Sequence, residues 1–316
     1  MAINRRSFNS DPATGFGTSG LTTGDRLYRK DGTVNVIRTG VSFFDSLSWY
    51  HTMLSMPRWK FWLVLFSIYI AINFLFACIY LAVGIEHLGG LEAGSPGKNF
   101  VEAFFFSAQT YTTVGYGRVS PIGVLTSAIA SFEAFMGVLS FALASGLFYG
   151  RFSRPKAYLF FSDIALLSPY KGGKALMFRV VPYKNNQLTE AEVKLTLALR
   201  VKDGENVKNQ FFPLQVEFNK INSLVLNWTI VHAITEESPL SGWSLQNLRD
   251  AKAEVLVLLK AFDDVFSNSV IARSSYSSSE IIDNAKFVPM YYPAEGKEAT
   301  VLRVDLLNEY ELVSAP

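Results

Sequence analysis

The sequence is poor in the side chains on which most chemistry depends. Its single cysteine, Cys78, lies inside an apolar run, which excludes an internal disulfide framework and a cysteine metal cluster. Three histidines, His51, His87 and His232, are too scattered for a metal-ligand motif and read as surface or capping residues. No nucleophile, base or metal constellation can be assembled, so no enzyme is indicated and no cofactor is required. Charge is scarce too. The 316 residues carry a formal net charge of +2 and only 18% are charged, which argues against a nucleic-acid partner. Residues 1–40 lack the basic flank and apolar core of a signal peptide and are rich in Gly, Ser, Thr, Asn and Asp. They read as a polar, mobile arm. The length calls for at least two domains.

What is present is long apolar sequence in one half. Phe61 to Val83 contains no charge, and at about 1.5 Å per residue a helix of that length crosses the roughly 30 Å hydrocarbon layer. Val124 to Tyr149, whose one charge is Glu133, is also long enough. Arg26, Arg29, Lys30, Arg38, Arg58 and Lys60 precede the first span and Arg151, Arg154 and Lys156 follow the second; only Lys98 and Arg118 lie between. This bias places both termini in the cytoplasm. Residues 41–57 read as an interfacial helix, with Phe44, Leu47, Tyr50 or His51 and Leu54 at helical spacing before Pro57. Residues 58–154 then form the membrane domain.

Beyond Pro155 the pattern becomes short β-forming runs: Ala157–Phe161, Ala175–Val181, Glu192–Val201, Gln210–Glu217, Asn227–Ala233, Glu254–Phe262 and Val270–Tyr276, with Leu302–Leu312 as a last strand. Turn residues such as Lys171-Gly172-Gly173 separate them. An all-β sandwich over residues 155–316 follows.

Between the spans lies a shorter apolar stretch, Phe100 to Thr112, after Asn99 as a candidate N-cap. It is too short to cross, so the chain must turn back at membrane depth, which is tolerated only where backbone is buried in protein or lines water. Next comes Thr113-Val114-Gly115-Tyr116-Gly117. A potassium ion leaving water needs its hydration shell replaced by oxygens, and stacked backbone carbonyls do this without net charge. Gly115 and Gly117 permit the angles that turn successive carbonyls to one side. Thr113 adds a hydroxyl, while Val114 and Tyr116 point away to hold the strand's width. The preceding helix aims its partially negative end at the cation. One strand supplies a fraction of each cage, so a homotetramer is expected.

At this point the chain resembles the inward-rectifier potassium channels, most closely their bacterial branch (KirBac). The supporting stretches are Ala103-Phe104-Phe105-Phe106-Ser107, Arg151-Phe152-Ser153-Arg154-Pro155, Leu176-Met177-Phe178-Arg179-Val180, Leu226-Asn227-Trp228-Thr229 and Ala272-Arg273-Ser274-Ser275-Tyr276. The resemblance implies a multi-pass protein of the bacterial inner membrane, with an immunoglobulin-like cytoplasmic domain that extends the ion pathway. It implies Gly137 as a hinge-like glycine, Tyr149 as the inner constriction and Phe141 at the cavity position where strong rectifiers carry an acid, hence weak polyamine or magnesium block. It places Arg58, Trp59, Lys60, Arg151, Arg154 and Lys156 at anionic lipid headgroups, phosphoinositides among them. Gln109 stands where many members have a glutamate paired with an arginine beyond the filter, so that pair with Arg118 is expected to be absent, leaving filter support to hydrogen bonds that include Glu133. The rival expectation is a membrane-anchored β-sandwich binding module with a silent pore.

Overall fold

The computed structural model describes residues 26–37, 39–40, 42, 48–91, 94–185, 187–203, 206–294 and 298–313. They form two compact units: Gly40–Arg154, and Pro155–Pro316 joined by the N-terminal stretch up to Thr39. Residues 1–25 of the predicted arm, Arg38, and the predicted start of the interfacial helix with Phe44 and Leu47 lie outside the described residues.

The first unit is helical. A short helix, α1 (Trp49–Ser55), ends before Pro57. The long helices α2 (Arg58–Val83) and α4 (Val124–Phe152) are both long and apolar enough to cross a membrane. Between them the half-length helix α3 begins earlier than predicted and spans Pro96–Tyr111. Its N-cap is Ser95, whose hydroxyl accepts the Lys98 N–H, because proline is pre-shaped for the first helical position and serine satisfies the orphan amides before it. Asn99, the predicted cap, instead lies inside the helix and accepts from the Gly94 N–H at 3.0 Å. A two-stranded ribbon, β1 (Leu88–Gly89) with β2 (Ser120–Pro121), ties the two connections together.

The second unit is a β-sandwich. One sheet runs β11 (Asn268–Ser277), β10 (Glu254–Asp263), β6 (Leu188–Asp203) and β7 (Asn206–Leu214), with β8 (Lys220–Leu224) also on β6. The other runs β12 (Ile281–Asp283), β4 (Ala165–Tyr170), β5 (Gly173–Pro182) and β3 (Leu159–Phe161), with β9 (Trp228–Ile234) on β5. Alternate residues of both sheets meet in one core: Leu176, Phe178 and Val180 from β5 face Leu195 and Leu197 of β6 and Val255 and Val257 of β10. Strand β4 was not anticipated, since its run is short and ends in Ser-Pro-Tyr. The expected last strand is broken: two short strands, Thr300–Leu302 and Tyr310–Leu312, flank a 3-10 turn at Val304–Leu306.

The arm is also corrected. Residues 26–37 dock on the sandwich rather than standing free: the Leu27 and Tyr28 amides donate to the Glu254 carboxylate at 2.6 and 3.1 Å, and Arg26 forks onto Glu280 at 3.0 Å through both terminal nitrogens. Lys30 lies 4.2 Å over the Tyr276 ring. Composition alone hid this, because the arm contributes few apolar residues and is held through its backbone amides on buried Glu254 and through Arg26 on half-buried Glu280.

Candidate functional site

Helix α3 ends at Tyr111, and the strand after it is shaped by its own backbone. Thr113, Gly115 and Gly117 have φ of 58°, 52° and 82°, while Val114 and Tyr116 between them do not enter the left-handed region. This alternation turns successive carbonyls the same way, which a regular strand cannot do. Threonine pays a steric penalty there, about 1–3 kcal/mol, and the surrounding bonds hold it. The Thr113 N–H donates to the Thr110 carbonyl at 3.0 Å, and the Gln109 carbonyl accepts from Val114 at 2.9 Å and Gly115 at 3.3 Å. Gln109 therefore supports the strand through its main chain, a role that side-chain chemistry does not announce. Tyr116 is 79% exposed and Val114 is exposed, so none of the described residues closes around them.

Arg118, just beyond the strand, does have an acidic partner, but it is Glu102 of α3 rather than position 109. Glu102 precedes Gln109 on the same helical face by about two turns. The helix descends and the strand returns, so the strand's far end comes level with the helix's early turns. Gly90 lies against the same end of the strand: a β-carbon on it would lie 1.9 Å from the Arg118 carbonyl oxygen.

Behind the strand, α4 turns a stripe of Thr126, Ala130, Glu133 and Gly137 inward. Glu133 is 0% exposed. The Tyr80 hydroxyl of α2 donates to its Oε2 at 2.6 Å, and its Oε1 is bonded to Ser107 Oγ of α3. Ser107 Oγ also lies 3.0 Å from Asn73 Oδ1, and the Asn73 amide donates to the Tyr69 carbonyl at 2.7 Å. Glu133 thus reaches the half-length helix, joined by Tyr80, Ser107 and Asn73, which sequence reasoning did not single out; a fully apolar span interrupted by Asn and Tyr was the available signal. Gly137 has a tighter reason to be glycine than bending: a β-carbon would stand 1.8 Å from the Tyr111 carbonyl oxygen, at the foot of the strand. Nearby, the Tyr111 hydroxyl bonds Ser140 at 2.6 Å.

Farther along α4, Phe141 and Tyr149 are both exposed, Tyr149 by 76%. The residues beside Tyr149 face the other way. Phe148 packs its ring 5.2 Å from Phe61 and 5.1 Å from Trp62. Arg151 donates to the Met53 and Met56 carbonyls at 3.0 and 2.5 Å and lies 5.0 Å over the Phe61 ring. It caps the C-terminal end of α1, where a cation is favoured. Arg58, Trp59, Lys60, Arg154 and Lys156 are exposed. No cluster of metal-ligating side chains occurs among the described residues.

Comparison with known proteins places both halves of the chain. Residues 159–316 match the family model described as the inward rectifier potassium channel C-terminal domain, and residues 60–153 match the one described as ion channel. The chain is 35% identical over 271 residues to the inward rectifier potassium channel Kirbac3.1 of Paramagnetospirillum magnetotacticum, covering 84% of this chain and 89% of that one. It is 30% identical to the ATP-sensitive inward rectifier potassium channel 12 of Gallus gallus, over 82% of this chain and 65% of that one. The G protein-activated inward rectifier potassium channel 4 of Mus musculus is 30% identical over 86% and 70% respectively. These relatives are membrane channels, not enzymes. The two-span pore unit and the β-sandwich are therefore parts of one known arrangement, and the chain belongs to the inward rectifier potassium channel family, on its bacterial branch.

Proposed function

We propose that four copies of this chain surround an axis and conduct potassium passively through stacked carbonyls of Thr113, Val114, Gly115, Tyr116 and Gly117. The observation that carries this reading is the alternation of left-handed residues at 113, 115 and 117, with the Gln109 carbonyl locking the strand to the helix end. The bare, exposed flank of the same strand supports assembly, since a dehydrated cation needs oxygens on every side. Glu102 with Arg118, and Glu133 with Ser107, hold the strand from its two sides.

The inner constriction is assigned to Tyr149, whose ring projects away from the packed Phe148 and Arg151 side of α4, and the cavity wall to Phe141. Four aromatic rings at one level shut a pore by dewetting. Movement of the β-sandwich and anionic lipids shifts this constriction. Arg58, Trp59, Lys60, Arg154 and Lys156 receive the headgroups, phosphoinositides included, each basic residue contributing about 1 kcal/mol near an anionic leaflet. Both termini lie in the cytoplasm, and block by polyamines or magnesium is weak because Phe141 offers no negative charge.

The test is potassium against sodium flux in liposomes of neutral and of anionic lipid, comparing the parent with Gly115→Ala. Alanine at φ 52° is strained by about 1–2 kcal/mol in every subunit, so potassium-selective flux is expected only from the parent. Equal conduction by the variant, or a parent silent in every lipid, would leave the anchored binding module as the better account.

A further inference from the structure

Only one arrangement of protons makes every short contact around Glu133 a hydrogen bond. The Asn73 amide faces the Tyr69 main-chain carbonyl at 2.7 Å; that oxygen can only accept, so the NH2 must point there. Flipping the amide would bring two acceptors together. Asn73 Oδ1 is then the atom 3.0 Å from Ser107 Oγ, and the serine must donate to it. A hydroxyl has one hydrogen, so toward Glu133 Oε1 the same oxygen can only accept. Between an ionised carboxylate oxygen and a hydroxyl oxygen whose single hydrogen points elsewhere no bond would form; the remaining hydrogen must therefore sit on Oε1. Oε2 accepts from the Tyr80 hydroxyl at 2.6 Å, which closes the count.

We propose that Glu133 is held as the neutral carboxylic acid, donating its proton to Ser107, and that it positions the half-length helix through that hydroxyl. The surroundings agree. Glu133 is 0% exposed, and its partners are the hydroxyls of Tyr80 and Ser107, with no lysine, arginine or histidine paired to it among the described residues. An ionised carboxylate so placed would keep an uncompensated charge at membrane depth, whereas the neutral acid satisfies every group in the chain. The bonds run in one direction, from Tyr80 through Glu133, Ser107 and Asn73 to the Tyr69 carbonyl, and link α2, α3 and α4 at the level of Ser107. The positioning role rests on the potassium-pore reading; the location of the proton does not.

The experiment is infrared spectroscopy of the full-length channel in liposomes at neutral pH, with and without carbon-13 in the glutamate carboxyl groups, alongside Glu133→Gln. A protonated-acid carbonyl band that shifts with the label and is missing from Glu133→Gln is the expected result. An isotope-sensitive region without such a band, or a band that persists in Glu133→Gln, overturns the proton assignment. For positioning, the potassium-to-sodium permeability ratio is measured in Glu133→Leu and Ser107→Ala, where a drop of tenfold or more is expected, and in Glu133→Gln, whose amide both donates and accepts and should rescue the ratio. An unchanged ratio in Glu133→Leu, or failure of the amide to rescue, defeats the relay. If the acid band is present but no variant or parent conducts potassium, the proton assignment holds and the pore reading fails.

Discussion

In the pore unit the fully covered side chains include Asn73, Ser107, Thr126 and Glu133, while Phe66, Val124 and Leu143 are turned outward; in the sandwich, Phe178, Leu197 and Val255 are covered and most charged residues face out, Arg179, Glu254 and Asp263 excepted. The difference reflects two solvents. Water drives the sandwich together through burial of apolar area, and its strands need that core because each sheet face must be covered. Lipid gives no such drive between helices whose backbone bonds are already internal. Close approach at small residues and hydrogen bonds across helices take over, which is why Gly137 and the Tyr80–Glu133–Ser107 contacts occupy the inner stripe. Loss of a side chain should therefore register mainly as loss of selectivity in one unit and as loss of stability in the other.

The largest effect should come from Gly137→Leu. Its β-carbon begins 1.8 Å from the Tyr111 carbonyl, a main-chain atom that cannot step aside without carrying Thr113 with it. A displacement worth only about 1.4 kcal/mol in the conduction barrier is already tenfold in rate. Potassium-selective liposome flux should fall by more than that while the helical circular dichroism of the channel is kept. If conduction survives, the glycine serves bending alone and the close contact has no consequence.

Phe178→Ala is the matching cut in the sandwich. Phe178 is fully buried beside Tyr276, ring centroids 4.9 Å apart, and truncation should cost about 3–5 kcal/mol. Chemical denaturation of the full chain should show the β-sheet signal lost at lower denaturant, with the helical signal unmoved. A shift of both signals together would mean that the two units do not respond separately.

The smallest effect concerns a buried polar group of the sandwich. His232 donates from Nδ1 to the Gln215 carbonyl at 2.5 Å and accepts at Nε2 from Ser238 Oγ at 2.8 Å. Burial pulls its pKa below the usual 6.5, opposed in part by the Gln215 carbonyl. The unfolded chain takes up a proton near pH 6.5 and the folded one resists until the pH is lower, so stability is complete above that value and declines on acidification. Hydrogen exchange of the β5 and β9 amides should rise as the pH falls below 6.5, after correction for intrinsic rates, and the trend should flatten in His232→Asn. A trend in the opposite direction would mean that the charged imidazole is the favoured form.

Much of this architecture could be read from the chain before folding. Two apolar runs, a half-length run and the Thr113–Gly117 strand specify their own surroundings, because periodicity, length and glycine placement are local properties. The docked arm was not readable, since Leu27 and Tyr28 are held by a glutamate far away in sequence. Nor was Glu102: an acid on a helix has many possible partners until the return of the strand brings Arg118 level with it. Strand β4 was missed because a short run ending in Ser-Pro-Tyr carries little β signal, although Ala165, Leu166, Leu167 and Ser168 are all buried.

By itself, then, the sequence determined the two spans, the half-length helix with the glycine-bearing Thr113–Gly117 segment after it, and the β-rich second half, all of which follow from hydrophobic length, backbone freedom and alternation over a few residues. Tertiary structure alone decided that Arg151 caps α1, that Gln109 acts through its carbonyl, that Gly137 is needed for a close approach, and which groups surround Glu133. Those roles depend on atoms brought within about 3 Å from distant parts of the chain, and hydrogen-bond reach is a property of the packed molecule rather than of residue order.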